Sequence, residues 1–317
     1  MVGLDDIRAA QDRIGGLVRR TPVKPSASLS DLLDVPVWLK CEHRQLTGAF
    51  KLRGASNAVA RLGKVAGVTT ASTGNHGRAL AHAARHRGLP AVICVSSLVP
   101  RNKLDAIAEL GAEARVIGAS QDQAFDEARR LQRDEGFALI PPFDHADVIA
   151  GQGTLGLEIL DQIPDAGAIA VPLSGGGLLA GVAAAAKALR PDIRIIGISM
   201  ERGAAMAASL AAGHPVEVAE VETLADSLGG GIGLTNRLSF PMVRDLMDDL
   251  ILLTEGEIAA GIRHLAQADG EMVEGAGAVG AGAALAGRLR AGGPLVLILS
   301  GGNIDPAAHA AILEGGA

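Results

Sequence analysis

Short runs of aliphatic and β-branched residues recur along the chain, and alanine-rich stretches long enough for helices separate most of them. No other feature narrows the fold as much. The runs Val37–Lys40, Gly67–Ala71, Ala91–Val95, Ala114–Ile117, Ala168–Pro172, Arg194–Ser199, Asp249–Leu253 and Pro294–Leu299 read as strands buried in a sheet. Helices are predicted over Asp5–Gly15, Ser28–Leu33, Phe50–Leu62, Asn75–Gly88, Arg101–Leu110, Ser120–Glu135, Gly151–Ile163, Gly177–Leu189, Gly203–Ala212, Phe240–Met247, Glu255–Gly270 and Ala276–Ala291. Strands alternating with helices predict an α/β protein with a mainly parallel sheet. No fixed-period repeat, low-complexity tail or linker marks a boundary. A two-lobed chain would cross between lobes at short loops near Val65–Thr70 and Phe143–Ile149.

Composition says what the core is made of. Of 317 residues, 48% are hydrophobic but only 2% aromatic, with no Tyr and one Trp, so Ala, Val, Leu and Ile must fill the interior. That balance excludes disorder, collagen and coiled coil. The 42 glycines imply close backbone approaches, to ligands or between packed elements. A net charge of −6 gives no basic face for nucleic acid, so no such partner is expected. Cys41 and Cys94 fit no metal spacing and read as reduced core residues of a cytoplasmic protein. The opening MVGLDDIRAAQDRIGG lacks the apolar region of a signal peptide. Apolar runs break before the roughly 18 residues a membrane span needs.

Six segments carry chemical promise. Thr47-Gly48-Ala49-Phe50-Lys51 delivers Lys51 to the start of a helix, where the dipole and partial burial would both lower its pKa. A neutral amine is what imine chemistry requires. By spacing alone, the commoner case is a solvated lysine on a first helical turn. Ser72-Thr73-Gly74-Asn75-His76-Gly77 ends a strand and opens a helix, which suits an anion such as a substrate carboxylate, or equally an ordinary capped turn. Ser174-Gly175-Gly176-Gly177-Leu178 lets the backbone wrap a phosphate ahead of a helix N-terminus. It is neither a dinucleotide fingerprint nor a P-loop. Ser227–Gly233, Glu274–Ala278 and Leu299–Asn303 are further glycine clusters that taken singly could be plain turns; a Ser300 hydroxyl could meet a ring nitrogen. His82 and His86 have the i, i+4 spacing of a ligand pair but lie among Arg78, Arg85 and Arg87, so a solvated basic face is the expected reading and no metal site is predicted.

In this order the six segments resemble the fold type II pyridoxal-phosphate enzymes, the tryptophan synthase β-like group, and within them the threonine/serine dehydratase and serine racemase branch. The resemblance runs from Arg19-Arg20-Thr21-Pro22 to Ser300-Gly301-Gly302-Asn303-Ile304-Asp305. It implies two open, twisted, mainly parallel sheets with flanking helices. A large cofactor-binding domain would take residues 1–66 and 146–317, and a small domain residues 67–145. It further implies pyridoxal 5'-phosphate linked to Lys51, with Phe50 and the 72–77 loop flanking the ring. Asn75 would reach the phenolic oxygen, Gly175, Gly176, Gly177 and Leu178 would hold the phosphate, and Ser300 would contact the ring nitrogen. Ser72, Thr73, Asn75 and His76 would grip the substrate carboxylate. Lys51 would act as the catalytic base, with Thr73 at the second acid/base position. A homodimer is common among such proteins.

Several stretches are similar to the hydroxyectoine-utilization dehydratase group: Thr47–Ala55, Ser72–Ala84, Val148–Gly156, Ser199–Ala205 and Ala225–Gly233. Four departures bear on activity. Ala49 replaces a serine found in many relatives. Thr73 stands where serine racemases keep a serine, which argues against racemase activity. Glu201 is followed six residues on by Ala207, so the divalent-ion site of some relatives is expected to be lost. The sequence ends at Ala317 without a C-terminal regulatory domain, as expected of a catabolic enzyme. The expected activity is α,β-elimination on a β-hydroxy α-amino acid, in hydroxyectoine catabolism. The alternative is an L-threonine/L-serine dehydratase releasing 2-oxobutanoate or pyruvate and ammonia. A β-replacement enzyme like the cysteine synthases, and a non-catalytic phosphate-binding module, are weaker rivals.

Overall fold

A computed structural model describes residues 1–72, 74–97, 99 and 101–315, without the side chains of Asn102 and Gln121. Its strands are β1 (Val23–Pro25), β2 (Val37–Lys40), β3 (Gly67–Ala71), β4 (Ala91–Val95), β5 (Glu113–Val116), β6 (Phe137–Leu139), β7 (Ala168–Pro172), β8 (Arg194–Met200), β9 (Asp249–Leu253) and β10 (Leu295–Ile298). They form a six-stranded sheet in the order β1-β2-β10-β7-β8-β9 and a four-stranded sheet in the order β5-β4-β3-β6. All pairings are parallel except β1 on β2. The expected α/β fold with two mainly parallel sheets is therefore present.

Thirteen helices surround the sheets among the described residues: α1 (Leu4–Ile14), α2 (Ala27–Leu33), α3 (Lys51–Arg61), α4 (Asn75–Arg87), α5 (Arg101–Glu109), α6 (Gln121–Glu135), α7 (Ala146–Gln162), α8 (Gly177–Leu189), α9 (Ala205–Ala212), α10 (Ser239–Leu246), α11 (Glu255–His264), α12 (Gly275–Leu285) and α13 (Pro306–Leu313). Alternate residues of the large-sheet strands feed two cores. Ile169, Val171, Ile195, Val296 and Ile298 pack under α7 and α8. Ala168, Ala170, Ile196, Ile198, Leu295 and Leu297 pack under α11 and α12. This period of two is the pleat of a sheet covered on both faces. The smaller sheet is buried the same way: Val68, Ile93 and Val95 lie on one side with Leu52, Ala55, Ala58 and Val59 of α3, and Val92 and Cys94 lie on the other with Leu131 of α6. Although α3 precedes residue 67, it thus contributes to the core of the smaller sheet.

The structure departs from expectation at several ends. The seventh helix starts at Ala146, capped by the His145 side chain, and not at Gly151. The glycines at 151, 153 and 156 are packing positions inside it. The twelfth helix stops at Leu285 rather than Ala291, and the stretch expected as one helix over Glu255–Gly270 closes in a π-helical turn, Leu265–Asp269. The three-residue strands β1 and β6 and the last helix were not anticipated.

A buried charge network holds α3, the helix that carries Lys51, against the large sheet. Arg53 is fully buried and its guanidinium donates to both oxygens of Glu42 at 2.8 Å and to Glu158 at 2.7 and 2.9 Å. Lys40, also fully buried, donates to Glu158, Gln162 and the Thr21 carbonyl, each at 2.8 Å. Burial lowers the Lys40 pKa; at Glu42 burial is the largest influence and pushes upward, but Arg53, Lys40 and Thr21 together hold that carboxyl below its usual range. Each buried charge of this network has an opposite partner, the condition under which such charges persist.

Candidate active site

Three site loops leave the C-terminal ends of parallel strands: 72–74 after β3, 173–176 after β7 and 299–303 after β10. This is the end of an open parallel sheet at which ligands bind. The loop leading into α3 joins them. Ala49 bridges Gly301, Phe50 N–H donates to the Ser300 carbonyl at 3.0 Å, and Gly302 N–H donates to the Gly48 carbonyl at 2.9 Å. Phe50 and Lys51 are thereby brought beside Ser300, far from them in sequence. Gly48 sits at φ +76°, where a Cβ would also lie 2.5 Å from Asn303 Oδ1, so the loop requires glycine here.

Lys51 is the first residue of α3 and keeps partial contact with solvent. Its Nζ donates to the Pro142 carbonyl at 2.8 Å and lies 5.3 Å from the Phe50 ring centroid. Crowding by neighbouring atoms pulls its pKa down to about 8, against a weaker opposing pull from Glu274. The neutral amine is therefore accessible near neutrality.

The 72–77 loop brings Asn75 and His76 to the start of α4, both buried. Gly77 is forced, because a Cβ there would stand 2.0 Å from the Ser72 carbonyl oxygen. His76 Nε2–H donates to the Ile140 carbonyl at 2.9 Å, leaving Nδ1 buried and without a partner. Burial, then the charge of Lys51, hold its pKa down at about 3, so the ring is neutral and carries no charge for a carboxylate. What the loop offers an anion is the helix start and its backbone N–H groups. Thr73 lies outside the described residues.

The glycine loop at α8 is shaped as a cradle. A Cβ on Gly175 would lie 2.3 Å from the Phe143 ring, and one on Gly177 would lie 2.9 Å from the Phe143 backbone. Gly176 has φ +87°, and a Cβ there would stand 2.8 Å from both Met206 and Val243. Among the described residues, no protein acceptor pairs with the N–H groups of Gly175, Gly176, Gly177 or Leu178. Ser239 Oγ donates to the Gly175 carbonyl at 2.7 Å, and Asp144 accepts from the backbone N–H groups of Arg237, Leu238 and Ser239 at 2.8–2.9 Å. The segment Pro142–Asp144 is thus the common wall: it receives Lys51, backs the glycine cradle and anchors α10. Sequence reasoning missed this wall and Ser239; the turn-rich Pro141-Pro142-Phe143-Asp144 run was the wall's only local signal.

A fourth group closes the site. Glu274, the N-cap residue of α12, accepts from Asn75 Nδ2 at 2.7 Å and from the Asn303 backbone N–H at 3.1 Å. Asn303 Nδ2 donates to Asn75 Oδ1 at 2.6 Å and to the Thr47 carbonyl at 3.0 Å. Burial and then nearby Asp226 raise the Glu274 pKa to about 7. The Gly229–Gly231 turn is partly to fully exposed, and a side chain on Gly231 would meet nothing within 4 Å. Away from the site, ligand atoms of Cys41, His43 and Glu271 lie within 4.8 Å of one another. That carboxylate already accepts from Lys24, Arg44 and His43, so the cluster reads as an ion-pair centre. Glu201 is exposed, and Ala207, six residues on, offers no ligand atom.

Comparison with known proteins places this geometry. The model of the pyridoxal-phosphate dependent enzyme family matches residues 14–301. A Sinorhizobium fredii protein bearing the provisional name threonine dehydratase is 54% identical over 99% of this chain and 96% of its own length. An L-threonine ammonia-lyase of Thermotoga maritima is 38% identical over 96% of this chain and 76% of its own. Among solved structures, maize serine racemase superposes with a TM-score of 0.92 at 36% identity, covering 99% of this chain and 97% of that one.

Proposed function

Because the chain belongs to the pyridoxal-phosphate-dependent enzymes, we propose that it is a dehydratase that eliminates water from a β-hydroxy α-amino acid, with release of ammonia and a keto acid. The observation that carries this is the common wall at Pro142–Asp144, which sets the Lys51 amine beside a glycine cradle whose amides have no protein acceptor. The residues present fit the cofactor: a cradle closed to any side chain for its phosphate, and an amine with a lowered pKa for its aldehyde. When bound, pyridoxal 5'-phosphate draws electron density from the substrate α-carbon and acidifies its proton.

The protein's own groups supply the rest. Gly175, Gly176, Gly177 and Leu178 donate backbone N–H groups to the phosphate, with the α8 N-terminus behind them. Lys51 Nζ takes the α-proton, and the Pro142 carbonyl orients that amine through the hydrogen bond seen here. Ser300 would present a neutral hydroxyl to the ring nitrogen and Phe50 would cover the ring. Asn75 would donate to the phenolic oxygen. Ser72, Thr73, Asn75 and His76 bind the substrate carboxylate, His76 through its backbone because its Nε2–H is committed to Ile140. Thr73 is also assigned the second acid/base position.

The substrate we favour is a hydroxy amino acid derived from hydroxyectoine, supported by the likeness of five segments to that group and by the open Gly229–Gly231 turn beside Ser227. The names of the relatives favour the second reading, L-threonine or L-serine giving 2-oxobutanoate or pyruvate. We also infer a cytoplasmic location, supported by two buried cysteines without a disulfide, and a homodimer, which sedimentation tests. The first experiment is a visible spectrum of the purified protein followed by addition of L-threonine. A band that threonine shifts, with keto acid formed, establishes the threonine reading. A band indifferent to threonine and serine supports the specialised substrate, and no band overturns the cofactor assignment.

A further inference from the structure

We propose that Glu274 is a positioning residue: with Asn303 it closes a hydrogen-bonded ring on the Asn75 side chain and fixes which atom of that amide faces the cofactor. The inference rests on the cofactor reading above. The ring runs from Asn303 N–H to one oxygen of Glu274, from its other oxygen to Asn75 Nδ2, and from Asn75 Oδ1 to Asn303 Nδ2. Its members come from three separate places: the start of α4 beside the small sheet, the N-cap of α12, and the loop after β10. Space for it is kept by two glycines. A Cβ on Gly301 would stand 2.6 Å from Glu274 Oε1, and one on Gly48 2.5 Å from Asn303 Oδ1.

The donor and acceptor assignments close in only one way. An ionised carboxylate only accepts, so Asn75 must turn its NH2 toward Glu274 and its carbonyl toward Asn303. Asn303 then gives its second amide hydrogen to the Thr47 carbonyl. An asparagine amide has nearly isosteric ends and a soft terminal torsion, so without such partners its two orientations compete. With them, one Asn75 N–H remains beyond the bond to Glu274; Ser227 Oγ, at 3.5 Å, is its long neighbour. That hydrogen is the one available to a phenolic oxygen.

The ring also depends on the carboxylate's charge. Both Glu274 oxygens meet donors, so a proton on either would oppose an N–H. The charged groups facing Glu274 are Asp226, from the 3-10 turn Asp226–Leu228, and Lys51 of α3; Asn75, Ser227 and Asn303 face it as neutral groups. Asp226 is itself 3.7 Å from Lys103 Nζ. Burial and Asp226 dominate, placing the ionisation at about 7. Activity should therefore fall as pH drops through that range, because the ring is lost when Glu274 takes up a proton.

The test uses the holoenzyme with the variants Glu274→Gln and Asn303→Ala. Each should lower kcat about tenfold or more with KM moved less than about threefold, since the ring orients the Asn75 side chain toward the cofactor, while Asn75 meets the substrate carboxylate through its backbone N–H, which the ring does not touch. Each should also shift the visible band of the bound cofactor. In Glu274→Gln the acidic fall of kcat/KM near neutrality should disappear. Added to Asn75→Ala, Glu274→Gln should cost less than about a further threefold, because the residues act as a unit. A Glu274→Gln enzyme with the parent's spectrum and pH profile, or losses that multiply in the double variant, would overturn the proposal. A parent protein without the visible band overturns the cofactor reading and this inference together, whereas a normal parent with an indifferent variant overturns the inference alone.

Discussion

Lys51 turns its amine to a backbone carbonyl and not to a carboxylate, and that choice of partner keeps the amine easy to deprotonate. A carboxylate at hydrogen-bond distance would favour the charged form; the Pro142 carbonyl orients without fixing a proton. Lys51→Ala should therefore abolish turnover and the visible band together, while far-ultraviolet circular dichroism stays as in the parent. The glycine cradle makes a second demand. On Gly177 a Cβ meets the backbone of Phe143 at 2.9 Å, and backbone cannot swing aside as a side-chain tip would. Overpacking of this kind costs about 1–3 kcal/mol, so Gly177→Ala should weaken pyridoxal-phosphate binding about 10- to 100-fold in a titration of the apoprotein. The glycine loop stood out in sequence as a local pattern, whereas Lys51 taken alone read as a solvated lysine and drew its expected role from the resemblance. The wall at Pro142–Asp144 and the roles of Glu274 and Asn303 were not legible there, because they act through partners in distant parts of the chain: Asn303 reaches Asn75 across 228 residues and Thr47 across 256.

At the scale of elements, small residues do what aromatics do in other cores. The α7 and α8 helices meet where a Cβ on Gly181 would stand 2.4 Å from the Ile149 carbonyl and 2.6 Å from Gly153 N. Two effects compete at that position. Alanine is favoured over glycine inside a helix by about 1 kcal/mol, but the added carbon pushes on the backbone of the facing helix. The second should win, and Gly181→Ala should lower the unfolding free energy by about 1–2 kcal/mol in urea titrations. A stabilised variant would show that the helices can part at little cost. The same chemistry explains which elements could be read from sequence. Strands β2, β3, β4, β7 and β9 were placed to the residue because four of the five are buried or nearly so along their length and look like continuous apolar runs. The strands β1 and β6 are three residues long and mostly half-buried, so they carry no such run. The start of α7 was hidden by glycines that pack against α3, α1 and α8, and α13 by an alanine-rich run with no polar and apolar faces, whose boundary signal is the Asp305 cap ahead of Pro306.

For the whole molecule, two buried side chains that line the cleft pull apoprotein stability in opposite directions with pH. The His76 pKa falls from 6.5 to about 3 on folding, through burial and the charge of Lys51. Between those values the unfolded chain binds a proton that the folded chain does not, so this contribution is complete above about 6.5 and is lost as pH falls toward about 3. The Glu274 pKa rises from 4.5 to about 7, through burial and Asp226. Between those values the folded chain binds the extra proton, so this contribution is present below about 4.5 and lost as pH rises through about 7. Over their shared range the two oppose each other, and the parent protein should show a muted response that hides both. Single variants separate them. The unfolding free energy of Glu274→Gln relative to the parent should climb as pH rises from about 4.5 to 7, because the variant has no buried carboxyl to ionise. For His76→Asn the same difference should climb as pH falls from about 6.5 toward 3. Urea titrations of the apoprotein at a series of pH values measure both slopes, and a flat difference for either variant would mean that its side chain titrates normally inside the folded cleft.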